Sequence, residues 1–189
     1  MGKTIKILIV AGVVILLLAL MTIPAYNGFV NQREIVSESQ SNIHNQLQRR
    51  ADLIPNFVQT VKGYSDYEQK TLTAVTEARA AVAKASSVAE TQKAADDLNK
   101  AISVWVNAVT EAYPDLKANE QYVALQDELA GTENRIARAR QDYNKAAQEY
   151  NVAIQKFPGN IVAGLFGFHK ADYFENDAAS NEVPKVSFE

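Results

Sequence analysis

EQYVALQDELAGTENRIARARQDYNKAAQEYNVAIQKF, residues 120–157, decides the fold. Taken every third or fourth residue it reads Tyr122, Leu125, Leu129, Thr132, Ile136, Ala139, Tyr143, Ala146, Tyr150, Ala153 and Phe157. This alternation sets all of them on one side of an α-helix. The residues between are mainly Glu, Asp, Gln, Asn, Lys and Arg, which prefer water. One long amphipathic helix follows, roughly 55 Å in length at ~1.5 Å rise per residue. A stripe that long needs partner helices of similar length to bury it.

Working outward, the rest of the chain supplies those partners. Ile35, Ser39, Ile43, Leu47, Ala51, Ile54, Val58 and Val61 repeat at helical spacing and predict a first stave just after an apolar N-terminal run. Pro55 lacks an N–H and crowds the carbonyl one turn back, so a kink or a helix boundary is expected there, with Gly63 as a stop. Residues 65–84 carry Leu72, Val75, Arg79 and Val82 on one face, with Ser65 or Asp66 as cap. A break is expected over residues 84–87. Thr91, Ala95, Leu98, Ile102, Trp105, Val109 and Ala112 form another heptad stave. Pro114 ends it, Asn119 caps the long helix, and Pro158-Gly159-Asn160 stops that helix in turn. The expected fold is all-α: a single N-terminal transmembrane helix followed by an antiparallel bundle of about four staves. The expected divisions are an anchor at 1–25, the bundle at 26–157, an apolar Gly-containing segment at 158–175 and a polar tail at 176–189.

The run from Ile7 to Ile23, ILIVAGVVILLLALMTI, has no charge and reaches the short end of what crosses the ~30 Å hydrocarbon layer as a helix. It is longer than a typical secretory signal core, and Ile23-Pro24-Ala25 is a poor cleavage site, so it reads as a retained anchor. Lys3 and Lys6 precede the run and the first cation after it is Arg33. The positive-inside rule therefore predicts a single-pass protein of the cell membrane with a cytoplasmic N-terminus and an extracytoplasmic C-terminal domain. Of the 189 residues none is Cys, which removes disulfides, thiolate metal sites, thiol nucleophiles and a lipoprotein anchor. The net charge is −3, and setting aside Lys3 and Lys6 leaves −5 on residues 27–189. An acidic domain of this kind does not bind nucleic acid by bulk electrostatics.

A set of ordered motifs runs through these staves: QRRADLIPN (48–56), VKGY (61–64), TEAR (76–79), YPDLKAN (113–119), LQDEL (125–129), TENRI (132–136), DYN (142–144) and FPGN (157–160). On these motifs the chain resembles the LemA family of bacterial membrane proteins, over nearly everything from residue 26 to residue 168. The resemblance implies one N-terminal membrane helix and an extracytoplasmic antiparallel helical bundle. It does not by itself imply a catalytic activity.

The search for chemistry by residue type yields little. His44 and His169 stand alone, with no second His at metal-ligand spacing. There is no nucleophile elbow, no phosphate loop around Gly164 and Gly167, no EF-hand and no Glu-x-x-His pair for a di-iron centre. No cofactor is expected. The one constellation is Arg49, Arg50, Asp52, Glu128, Glu133 and Arg135, read as interhelical ion pairs that fix the register of the staves. Tyr122, Tyr143 and Tyr150 lie on the heptad stripe and are read as core residues with hydroxyls at its edge. The segment IVAGLFGF, with Ile161, Val162, Leu165, Phe166 and Phe168, has three readings: a lid on the bundle, a contact with another copy, or a contact with the membrane interface.

These readings point to a membrane-anchored, non-enzymatic scaffold or interaction protein of the bacterial cell envelope. Its expected partners are membrane lipid through residues 7–23, other proteins and, by self-assembly, further copies of the chain. The rival is a hydrolase or transferase with a site between the helices, which would need a solvent-reached pocket holding convergent titratable groups.

Overall fold

Helix α1 runs without interruption over Lys3–Lys62. The computed structural model describes residues 2–62 and 69–175, and side chains outside 61–72. After α1 come α2 (Gln69–Lys84), α3 (Val88–Ala112), a 3-10 turn (Pro114–Ala118), α4 (Glu120–Gln155) and α5 (Gly159–Phe166). No strand occurs among the described residues, and the fold is all-α. The boundary expected at Pro55 does not form. The lost hydrogen bond costs about 3 kcal/mol or more, but the surrounding turns bury Ala51, Ile54 and Phe57. Phe57 meets Trp105 and Tyr122 edge to face at 5.1 and 5.0 Å, which holds the last turns in helix. The Gly63 stop, the Ser65 or Asp66 cap and the Leu72 side chain lie outside the described residues.

The chain divides into two compact units, and α1 and α4 contribute to both. The first contains the chain up to Ile43 together with Gln141–Asp172. It buries Phe29, Val36 and Ile43 of α1 and Tyr143, Ala147, Tyr150 and Ile154 of α4. Before Phe29, nothing is buried on α1: residues 2–24 are exposed apart from the partly covered Ala19 and Thr22. This is also the only helix among the described residues that is long and apolar enough to cross a membrane.

The second unit contains His44–Arg140 and the chain from Tyr173 onward. In it Arg50 meets Glu133 and Phe57 meets Tyr122, so α1 and α4 run antiparallel. Its core is made by Leu47, Ile54 and Phe57 of α1, Val75 and Val82 of α2, Leu98, Trp105 and Val109 of α3, and Tyr122 and Leu129 of α4. Tyr122 reaches the Thr110 hydroxyl at 2.6 Å, so its polar end is satisfied inside the core.

The stripes differ from the expected ones in register. On α4 the buried set passes from Tyr143 to Ala147, Tyr150 and Ile154, while Ala146 and Ala153 are only partly covered. The seven-residue series Tyr122, Leu129, Ile136, Tyr143 and Tyr150 stays buried throughout, and only its companion positions Ala146 and Ala153 give way to the residues one step on, Ala147 and Ile154. α4 also ends at Gln155, leaving Phe157 outside it and 81% exposed. On α1 the buried line includes the seven-residue series Phe29, Val36, Ile43, Arg50 and Phe57, so Val36 is buried in place of Ile35 and Phe57 in place of Val58. Ala112 is exposed at the end of α3.

Helix starts follow local chemistry. At α3 the Ser87 hydroxyl accepts from the Glu90 N–H at 3.2 Å, and the Glu90 carboxylate accepts from the Ser86 and Ser87 N–H groups at 2.9 and 3.2 Å. This reciprocal box satisfies donors that a helix start otherwise leaves free. At α4 the Asn119 side chain accepts from the Tyr122 N–H at 3.0 Å. The backbone N–H groups of Ser86 and Ser87, with the Ser86 hydroxyl, hold Glu90 below the usual carboxylate range. A depressed folded value contributes stability above the unfolded pKa of ~4.3 that is lost as pH falls through the folded value. Ser87→Ala is expected to cost about 1 kcal/mol. Glu90→Gln should flatten the acid limb of a stability-versus-pH curve below about pH 4, measured by circular dichroism.

Candidate functional site

In the second unit the charged side chains of α1 and α4 interlock. Arg50 lies on the buried face of α1, with its side chain 8% exposed, and is ion-paired with Glu133, whose side chain is 44% exposed. Arg49 reaches Glu128 at 3.1 Å, and Arg135, two turns on along α4, reaches the same Glu128 oxygen at 2.7 Å. Asp52 meets none of these; it pairs with Arg79 of α2 at 2.6 Å and ties α2 to α1. Two further contacts join α3 to α4. Arg140 lies 3.5 Å from Asp96, and Asn99 donates to Glu133 at 3.4 Å.

Burial lowers the Arg50 guanidinium from its ordinary range to about 10, with the charge of Arg140 as the smaller cause. It therefore remains a cation at neutral pH, in surroundings that disfavour a charge without a partner. The exposed pairs of this lattice are worth little each, about 0–1 kcal/mol. Their arrangement sets which turn of one helix faces which turn of the next.

Among the described residues no three His, Asp or Glu side chains gather as a metal cage. His44 is half-buried on α1 and His169 is exposed. A shallow groove of about 480 Å³ lies between α2 and α3, floored by Ala74, Ala78, Ala81 and Ala101 with Glu77, Asp97 and Lys100 at its rim. Its lining holds no hydroxyl, thiol or imidazole.

In the first unit the apolar segment splits into two faces. Val162 and Phe168 are buried within the chain, whereas Ile161, Leu165 and Phe166 are exposed by 62, 75 and 49%. Gly167 adopts φ 71° after α5, and the Phe168 N–H then bonds the Ala163 carbonyl at 2.9 Å. That left-handed residue closes the helix and turns the chain back. Phe168 lands edge-on against Tyr26 and Phe29 at 5.5 and 5.4 Å, with the Arg33 guanidinium 5.5 Å from its ring centre.

From there the chain is held by two side chains of α4, of which residue spacing singles out Tyr143 but not Asn151. Asn151 donates to the Ala171 carbonyl and accepts from the Ala171 N–H, both at 2.8 Å. The Tyr143 hydroxyl donates to the Asp172 carbonyl at 3.0 Å. Burial, with the Asp172 charge adding to it, raises the Tyr143 phenol; burial likewise raises Tyr150, with Arg33 opposing. In the second unit Gln92 repeats the two-way clamp on Glu175, accepting at 3.0 Å and donating at 3.4 Å, and Phe174 is buried beside Arg140. The signal for Asn151 was present in the sequence as a polar residue next to Tyr150 on the apolar side of α4. Its partner, an extended stretch without periodicity, gave no signal at all.

The LemA family model matches residues 39–188. Magnetosome protein MamQ 2 of Paramagnetospirillum magneticum is 26% identical over 181 residues, which cover 82% of this chain and 66% of that protein. This chain therefore spans just under two thirds of that relative. Magnetosome protein MamQ of Magnetospirillum gryphiswaldense is 26% identical over 208 residues, covering 96% of this chain and 76% of its own. Protein LemA of Metamycoplasma hominis is 26% identical over 164 residues, with 85% and 71% covered.

Two predictions test these packings. Glu133→Ala leaves the Arg50 guanidinium without its carboxylate and should cost about 2 kcal/mol, between the limits for exposed and buried pairs. Adding Arg50→Met should recover part of that loss in thermal melts of the detergent-solubilised protein, and a double variant weaker than Glu133→Ala would contradict the account. A Cβ at Gly159 would sit 2.9 Å from both the Ala153 carbonyl oxygen and the Phe29 ring, whereas one at Gly164 would meet nothing within 4 Å. Gly159→Ala should therefore destabilise by about 1–3 kcal/mol. Gly164→Ala should be neutral or stabilise by up to about 1 kcal/mol.

Proposed function

The chain belongs to the LemA family, and from that premise we propose that it is a membrane-anchored, non-enzymatic helical-bundle scaffold of the cell envelope. Its working parts are surfaces on which proteins or further copies of the chain assemble. One observation carries this reading: within a single continuous helix, residues 2–24 bury no side chain, while from Phe29 onward the same helix buries one at nearly every turn. A bare apolar half-helix of this kind is stable only where lipid surrounds it.

The rest of the molecule supports a structural role. The charges of the bundle pair with one another and set register, and the perturbed groups Glu90, Tyr143 and Tyr150 owe their shifts to capping and burial in the framework. The groove between α2 and α3 has charged side chains only at its rim, Glu77, Asp97 and Lys100, and its lining includes no hydroxyl, thiol or imidazole. An anchor also confines all copies to one plane in one orientation, which raises their effective concentration for lateral assembly.

Lys3 and Lys6, before the span, favour a cytoplasmic N-terminus with the bundle on the other side. The chain has no native Cys, so Ser41→Cys gives a single reporter on an exposed position of α1. A membrane-impermeant thiol reagent should label it in intact cells, or in spheroplasts where an outer membrane is present. Labelling only after lysis contradicts the orientation.

A further inference from the structure

We infer that the outer face of α5, with Phe157 ahead of it, is a foot that rests in the headgroup layer of the same membrane that α1 spans. The inference builds on the anchoring role proposed for residues 7–23 and lies wholly within the first unit. It begins from an imbalance. α5 buries Val162 and Ala163 inward, yet Ile161 and Leu165, one helical turn apart, are 62 and 75% exposed, and Phe157, in the turn just ahead of the helix, is 81% exposed. Phe166 adds to the same exposed surface. Large apolar side chains gathered at one turn mark a contact surface.

The occupant follows from where that surface sits. Tyr26 stands three residues after Ile23, the last residue of the apolar run, which is where amphipathic aromatic rings meet the membrane–water boundary. Phe166 meets Tyr26 edge to face at 5.0 Å, Phe168 meets the same ring at 5.5 Å, and Gly159 lies against Phe29. α5 is thereby fixed at the level where the span ends. The chain turns away from the span on both sides of it. α4 arrives with Tyr150 near Arg33, and after Phe168 the chain returns to Asn151 and then Tyr143. Residues 157–166 are thus the turn nearest to the lipid.

Charge agrees with this placement. KFPGNIVAGLFGFHK, residues 156–170, carries exposed Lys156 and Lys170 and no acid, in a protein of net charge −3. Along α1 no acid appears between the span and Glu34 either. Apolar side chains flanked by lysines are the composition that lies in an interface, about 5–10 Å deep, and is drawn to anionic headgroups.

The test uses the full-length protein in vesicles of mixed zwitterionic and anionic phospholipid, with an environment-sensitive fluorophore on single cysteines. The positions are Leu17→Cys in the span, Leu165→Cys on the foot and Lys145→Cys on α4. All three sites are exposed, so none disturbs the core. Quenching by brominated lipid should be strong at Leu17, and at Leu165 about twofold or more above that at Lys145, since the foot reaches the headgroup–acyl boundary. Strong quenching at Leu17 with Leu165 no different from Lys145 overturns the foot and leaves the anchor standing. No quenching at Leu17 overturns the anchoring reading and the foot with it. A Leu165 fluorophore that is blue-shifted, unquenched by lipid and shifted back on diluting the protein in the membrane would assign the face to a second copy instead, and would also reject the inference.

Discussion

An α-helix satisfies its own backbone hydrogen bonds in lipid and in water alike, so one helix can pass through both if its side chains change with the solvent. The side chains of α1 change in this way along its length. Up to Ile23 its side chains are apolar on every side and bury nothing; from Phe29 on they are apolar on one face and polar on the others. Each of the two compact units includes part of this helix. α1 is helical through both Pro24 and Pro55.

Side-chain contacts then set register, each by its own chemistry. In the second unit the aromatic cluster of Phe57, Trp105 and Tyr122 supplies area, while Arg50 with Glu133 and Arg49 with Glu128 admit one alignment of α1 and α4. A one-turn slip would leave Arg50 buried without its carboxylate, a larger loss than any exposed pair returns. In the first unit the equivalent devices are uncharged. Gly159 permits Phe29 to approach, Phe168 stacks between Tyr26 and Arg33, and the Asn151 amide holds both polar groups of Ala171. Both backbone groups of Ala171, in the stretch after α5, are thereby satisfied without any sheet.

Much of the fold was legible because long helices declare themselves by period. The all-α class, the apolar anchor run, the break before Ser87 and the Asn119 cap all follow from spacing and capping chemistry. The expected stripes miss by one residue at particular turns: Ala147, Ile154 and Val36 are buried in place of Ala146, Ala153 and Ile35, and Phe157 lies beyond the end of α4. Pro55 was read by its local cost alone, whereas packing around Phe57 outweighs it. The clamps by Asn151 and Gln92 were illegible for a different reason. Their partners are backbone groups of an extended segment, and no pattern of side chains announces a backbone acceptor. Of the apolar segment, the sequence could list the residues but could not divide Val162 and Phe168 from Ile161 and Leu165, since that division depends on where Gly167 turns the chain.

The account's central claim is that α1 is one helix buried by lipid over its first part and by protein over its second. Spin labels placed singly along residues 10–40 of the bilayer-reconstituted protein measure this through their relative accessibility to oxygen and to a water-soluble nickel chelate. The account predicts oxygen-dominated access at every position through Ile23. Beyond Phe29 it predicts a helical alternation between protected positions such as Val36 and nickel-accessible ones such as Glu38. Nickel access throughout residues 10–23, or a loss of helical periodicity between Ile23 and Phe29, would contradict it.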